Sequence, residues 1–251
     1  MKFLKVLIPL VLITLLFASC EIHFDGDKVR VKGITLEHSR TITLTDNEKY
    51  DTFTVEAGSG NIALEGGQSY DLEVKIWEKY ENDVTLSIKN GKLVGETASG
   101  KSYAIASIKG IIPTNTSIDI ETGAGNIMIN DMEGKDFEVE TGAGNLSFDN
   151  CNFTEMEFST GAGNINVTNI KTDAIEMNTG AGNILIKSLV AIELECNTGV
   201  GNIDIFNSTA KKADCNSGIG NISVSESQFE KHEFNIGIGK VNYRNNNTTE
   251  L

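Results

Sequence analysis

Seven glycine pairs, each spanning one residue, recur along this chain every 19 residues: Gly123/Gly125, Gly142/Gly144, Gly161/Gly163, Gly180/Gly182, Gly199/Gly201, Gly218/Gly220 and Gly237/Gly239. No insertion or deletion interrupts the series. An eighth pair, Gly58/Gly60, followed by Asn61, lies upstream and out of period. Self-similarity at a fixed short period is the signature of a solenoid. Inside one copy, residues 174–186 read AIEMNTGAGNILI. Ile175, Met177 and Thr179 alternate with Glu176 and Asn178, and Ile184 and Ile186 flank Leu185. Alternation with period two means strands with one buried face. Helices are excluded, because each would carry a glycine pair. A propeller blade needs about 40 residues or more, so the 19-residue copy fits one coil of a β-helix instead.

Stacked coils turn each repeat position into a column. Ile120, Val139, Phe158, Met177, Cys196, Cys215 and Phe234 form one apolar column. Ile127, Leu146, Ile165, Ile184, Ile203, Ile222 and Val241 form a second. Ile129, Phe148, Val167, Ile186, Ile205, Val224 and Tyr243 form a third. These columns predict the core. Between the glycines, Ala124, Ala143, Ala162 and Ala181 give way to Val200, Ile219 and Ile238, which reads as an inward-facing corner that widens toward the C-terminus. Cys196 and Cys215 are one rung apart in one core column, close enough for a disulfide, yet parallel stacked side chains seldom aim correctly. The expectation is buried free thiols. Cys151 shares a column with Met132, Ile170 and Leu189 and is expected to pack in the core.

The fold class expected is therefore all-β, a single-stranded β-helix with seven regular 19-residue rungs over 119–243 and an irregular N-terminal capping region. Residues 51–118 form the irregular β part, where Asn90-Gly91 marks a turn, and 20–50 a linker and cap. Residues 244–251 read as a polar tail.

The first 19 residues stand apart. Lys2 and Lys5 precede an apolar run that ends Phe17-Ala18-Ser19-Cys20. Small residues closing a short apolar segment mark a processing site. The run is short for a membrane span. It resembles the lipobox of bacterial lipoproteins, with Phe17 in place of the more usual leucine; the resemblance implies a signal peptide over 1–19, lipid attachment at Cys20, and a domain tethered to a membrane by lipid. The formal charge of -14 argues against nucleic acid as a partner, since a surface that meets phosphates needs clustered Lys and Arg.

Two polar columns carry the candidate sites. Asn126, Asn145, Asn164, Asn183, Asn202 and Asn221, preceded by Asn61 and broken by Lys240, read as a structural turn ladder. An acidic column, Asp119, Glu138, Glu157, Glu176, Glu195, Asp214 and Glu233, should face solvent beside the core. Glu121 and Glu140 begin a second acidic column, continued by Ser159, Asn178, Asn197, Asn216 and Asn235. This face suits weak Ca²⁺ binding or a basic partner; the plain alternative is a solvated sheet face. Calcium solenoids place Asp in the glycine turn, where this chain has alanine at four corners. No Gly-x-Ser-x-Gly, His-Glu-x-x-His or Walker loop occurs, and a carboxylate on every rung is a repeat position rather than a catalytic constellation. No cofactor and no catalytic residue is expected.

Strings of TGxGNI between alternating strands resemble the bacterial DUF4097/DUF2807 group of adhesin-like β-helical domains, over roughly residues 50–245. The resemblance implies a non-enzymatic envelope or cell-surface module that binds protein or glycan, or serves as a scaffold. A weaker similarity to polymerising bactofilin-like β-helices leaves a self-associating structural role as the alternative. A polysaccharide-processing enzyme is the third reading.

Overall fold

The structure, a computed structural model, describes residues 22–25, 28–31 and 33–244. The expected signal segment over 1–19, Cys20 and residues 245–251 of the expected tail lie outside the described residues. All regular secondary structure in the described residues is β-strand, 22 strands in all.

From Ser117 onward the chain winds as seven parallel rungs, here numbered by their glycine pairs. Register is unbroken: Ile118, Phe137, Met156, Ile175, Leu194, Ala213 and His232 pair in succession up the stack. The second strand of each rung stacks in the same way, from Ile127 on Leu146 to Ile222 on Val241. Neighbouring rungs therefore lie about 4.8 Å apart. The predicted core columns are buried through rung 6, and the side chains of rung 7 are partly or largely exposed. Rungs 2 and 3 fill their interior with aromatics. Phe137 lies 4.8–4.9 Å, ring centre to ring centre, from Phe148, Phe153 and Phe158.

The upstream glycine pair belongs to the stack in space, although it is out of period in sequence. Strands β1 (Ile22–Asp25), β2 (Lys28–Val31), β3 (Ile34–Leu36) and β4 (His38–Asp46) precede β5 (Thr52–Ala57) and β6 (Asn61–Gly67). Rung 1 pairs in parallel with β5 and β6, Ile120 on Val55 and Ile127 on Ile62. The intervening residues form β7 (Tyr70–Glu78), β8 (Val84–Lys89), β9 (Lys92–Thr97) and β10 (Tyr103–Pro113). β8 and β9 make a hairpin at Asn90-Gly91, with Asn90 at φ 51° as such a turn requires. β10 pairs with β6 in parallel and with β7 antiparallel; β7 then pairs antiparallel with β4. This end is locked by Glu78, whose carboxylate accepts from Arg40 Nε at 2.7 Å and from the backbone N–H groups of Asn82 and Val84 at 2.9 Å. Burial pushes the Glu78 carboxyl up, but these hydrogen bonds and the Arg40 charge outweigh it and hold the group below its ordinary value.

Two expectations are corrected. The residue between the glycines points outward: Val200, Ile219 and Ile238 are 54%, 50% and 68% exposed. The glycines themselves face crowded backbone. A Cβ on Gly144 would lie 1.9 Å from the Gly125 carbonyl oxygen, so the rungs touch at the second glycine while the middle residue turns away. The cysteines Cys196 and Cys215 form a disulfide rather than free thiols. Parallel in-register pairing brings their Cα atoms to 4.6 Å, inside the range a disulfide spans, within a buried column. Cys151 is free and buried, its thiol pushed up to about 11 by burial first and by Asp131 and Asp149 nearby.

Candidate binding face

The carboxylate columns stand on one sheet face beside the buried column, because successive side chains of a strand alternate sides. Asp119, Glu138, Glu157, Glu176, Glu195, Asp214 and Glu233 pair in unbroken register, so each acid has an acid directly above or below it. Glu56, Glu121 and Glu140 stack likewise in the second column. A third column nearer the start of the strand runs Asp136, Glu155, Ala174, Glu193 and then reverses sign at Lys212 and Lys231. Between the first and third columns lies a shallow groove of about 380 Å³, lined by Glu138, Glu155, Glu157, Glu176, Glu193 and Glu195 among others.

The two ends of this face are supported differently. From rung 4 on, the second column is asparagine. Asn178, Asn197, Asn216 and Asn235 each donate through Nδ2 to the carboxylate two residues earlier, at 2.7, 3.3, 3.0 and 3.0 Å. Asn197, Asn216 and Asn235 also donate to the amide oxygen of the asparagine one rung earlier. In rungs 1 and 2 that position holds glutamate, which has no proton to give. Burial, then the charges of Glu121 and Glu138, push the Glu140 carboxyl up. Glu157 is raised by burial, then by Glu176, Glu138 and Glu140. Lys92 reaches Glu56 at 2.6 Å and relieves only the N-terminal margin of the patch.

The structure places the Asn126 to Asn221 column at the glycine corner. Each amide oxygen accepts the backbone N–H of the next equivalent residue, as from Asn145 to Asn126 at 3.0 Å, and Lys240 still donates its N–H to Asn221. Sequence reasoning missed two further ladders. Thr160, Thr179, Thr198 and Ser217 donate to the carbonyl of the second glycine one rung earlier, at 2.9–3.1 Å. Asp131, Asn150, Asn169, Ser188, Asn207 and Glu226 occupy the left-handed region at a second corner, φ 49–56°. The enrichment of Asn and Asp at that spacing was the available signal. Among the described residues, no three His, Cys, Asp or Glu side chains converge to hold a metal ion. No helix in them is long and apolar enough to cross a membrane.

The family model for Toastrack DUF4097 matches this chain over residues 18–189 and 171–251. The chain belongs to that family. Among solved structures, the DUF4097 chain is similar to a candidate adhesin of Bacteroides fragilis NCTC 9343, at 15% identity and a TM-score of 0.58, over 82% of this chain and 97% of that one. It is also similar to a candidate lipid-binding protein of Parabacteroides distasonis ATCC 8503, at 21% identity and a TM-score of 0.57, over 82% and 96%. At these identities the likeness establishes the fold. No curated protein matches the DUF4097 chain.

Proposed function

We propose that this protein is a lipid-anchored, non-enzymatic binding module of the bacterial envelope, and that its acidic sheet face in rungs 1 to 3 holds a cationic partner, protein or glycan. The observation that carries the reading is the uncompensated group of Glu121, Glu138, Glu140 and Glu157. Two of these carboxyls are pushed up by burial and by neighbouring carboxylates, while in later rungs asparagine amides donate hydrogen bonds to the carboxylates of the same face. A cationic ligand would remove that repulsion on binding. The flat, periodic face has no enclosed pocket to orient a reacting group, which favours extended recognition over turnover. The adhesin and lipid-binding names of the similar structures agree with a binding role. Anchoring rests on the sequence around Cys20.

Calorimetry with oligolysine and with chitosan oligomers, each against a neutral analogue, tests the face. The cationic probes should bind and weaken steeply with added salt. Glu121→Gln with Glu140→Gln should lower affinity about tenfold, and Glu195→Gln should change it little. Equal losses at both places, or salt-independent binding, would reject the reading. For the anchor, Cys20→Ser should abolish labelling by radioactive palmitate and move the protein from membrane to soluble fraction.

A further inference from the structure

The two ends of the stack are not alike. At the N-terminal end β4, β7, β10 and the β8–β9 hairpin run across the first coil, and Arg40 ties β4 to β8 by donating to the Val84 carbonyl as well as to Glu78. At the C-terminal end the last rung, Gln228–Ile238 and Val241–Arg244, pairs only with the rung before it among the described residues. Its outer edge carries backbone groups that call for another strand. Its core side also meets no further strand among the described residues. Phe229, His232, Phe234 and Tyr243 form one ring cluster, with neighbouring centres 5.1–6.1 Å apart, and Tyr243 is 48% exposed. His232 occupies the column held by Phe137, Met156, Ile175, Leu194 and Ala213 in earlier rungs. The surface is thus the stack's own rung-to-rung interface, left without its next rung.

We infer that two copies of this chain associate end to end through their C-terminal rungs, across a two-fold axis. The N-terminal end of a second copy is a poor acceptor, because antiparallel strands cover its core there. Only another last rung presents the same outline of rings and open edge, and an isologous contact buries both at once. The two-fold also reverses the strand order. Within the chain the parallel register stacks Lys231 on Lys212 and Glu233 on Asp214, like on like. In the second copy the order of Lys231 and Glu233 runs backward, so a register centred on His232 sets unlike charges opposite one another. The association leaves the acidic faces of rungs 1 to 3 free and sets the N-terminal strands at opposite ends of the pair. It goes beyond the cationic-partner reading and does not depend on it.

Sedimentation equilibrium of the full chain in density-matched detergent should show a monomer–dimer equilibrium. A monomer at every concentration to about 100 μM, a Kd weaker than any specific contact of use here, overturns the inference. Tyr243→Lys at the exposed ring should raise the dimer Kd at least about 30-fold; an unchanged Kd overturns it. A second measurement does not depend on that variant's folding. Met128 and Asn242 are exposed and lie in one column, six rungs apart. With Cys20→Ser as background, spin labels at Asn242→Cys should give a short inter-copy distance. Labels at Met128→Cys should give one longer by roughly 60 Å, twice six rung spacings. A short distance at Met128, or equal distances, means another mode of contact and overturns the inference. Deleting residues 245–251 should leave the Kd within about threefold or tighten it. A chain that dimerises only after that deletion would show the tail to be the occupant of the end, and the inference falls.

Discussion

The segment before residue 117 and the stack after it bury similar apolar side chains by opposite means. In the first, antiparallel β4, β7 and β10 set different residues against one another, and Glu78 finds Arg40 and two backbone N–H groups that hold its carboxyl down. In the second, the nearest neighbour of every residue is its own equivalent one rung away. Apolar positions profit from this, since Ile stacks on Ile. Charged positions suffer, and Glu140 and Glu157 are raised. The asparagines of rungs 4 to 7 show how a periodic stack tolerates an acidic column: each brings protons to a position that otherwise repeats a charge. A parallel register makes every sequence choice collective.

The largest expected effect lies in the glycine corner. Gly144→Ala forces a Cβ into the Gly125 carbonyl, backbone against backbone, and should cost about 4 kcal/mol or more by chemical denaturation. Gly100 in the irregular segment has φ +67° and nothing within 4 Å, so Gly100→Ala should cost only about 1 kcal/mol, the left-handed strain alone. Similar losses at both positions would break the contrast. Next comes the lock on the N-terminal end. Glu78→Ala strands two backbone donors and the Arg40 guanidinium, and about 3 kcal/mol should be lost, the low end for a buried pair because Arg40 is partly solvated. The stack has a covalent counterpart. Cys196→Ala with Cys215→Ala opens a loop of separation 19 and should also cost about 3 kcal/mol, with reduction giving a similar loss.

The smallest effects test the charge argument directly. Glu140→Gln should raise stability at neutral pH by about 0.5 kcal/mol, and Asn197→Glu, which rebuilds the early pattern in a late rung, should lower it by a similar amount. The pH dependence should have opposite signs in the two regions. Glu140 and Glu157 are raised in the folded state, so the fold binds more protons than the unfolded chain and their contribution to stability falls as pH rises from the ordinary carboxylate range. Glu78 is lowered, so its contribution is full above that range and is lost as pH falls through its folded value. Denaturation of Glu140→Gln and Glu78→Ala across pH 3 to 7, roughly the carboxylate window, should flatten slopes of opposite sign.

Where the period held, the sequence was readable to the residue. The columns beginning at Ile120, Ile127 and Ile129 pair as their spacing implies and are buried through rung 6. The period could not say where β7 to β10 go, because those strands pair antiparallel with partners no repeat predicts. Nor could it say that Gly58/Gly60 rejoins the stack beneath rung 1, since contact across an insertion leaves no trace in spacing. Val200 and Ile219 turn outward despite being apolar, because at this corner the glycine contacts decide direction and hydrophobicity does not. The disulfide forms although stacked parallel side chains seldom aim correctly, because in-register pairing at a Cα separation of 4.6 Å lets these two sulfurs meet. On the acidic face the columns were visible from spacing alone. The asparagine partnership was not, because it needs Nδ2 two residues along the same strand to reach back to the carboxylate.

Unbroken register has one more consequence. Because successive rungs pair residue for residue, a gene segment encoding 19 residues can be duplicated or lost while each remaining residue keeps an equivalent partner. Changes of any other length within a strand shift its columns and spoil the stack, whereas an insertion at the turn between rungs, as between β6 and rung 1, leaves the register intact. Descent with variation in such a chain should therefore proceed in whole rungs, each shifting the C-terminal end by about 4.8 Å relative to the N-terminus. Reach becomes a heritable dimension that can be tuned without redesigning either end.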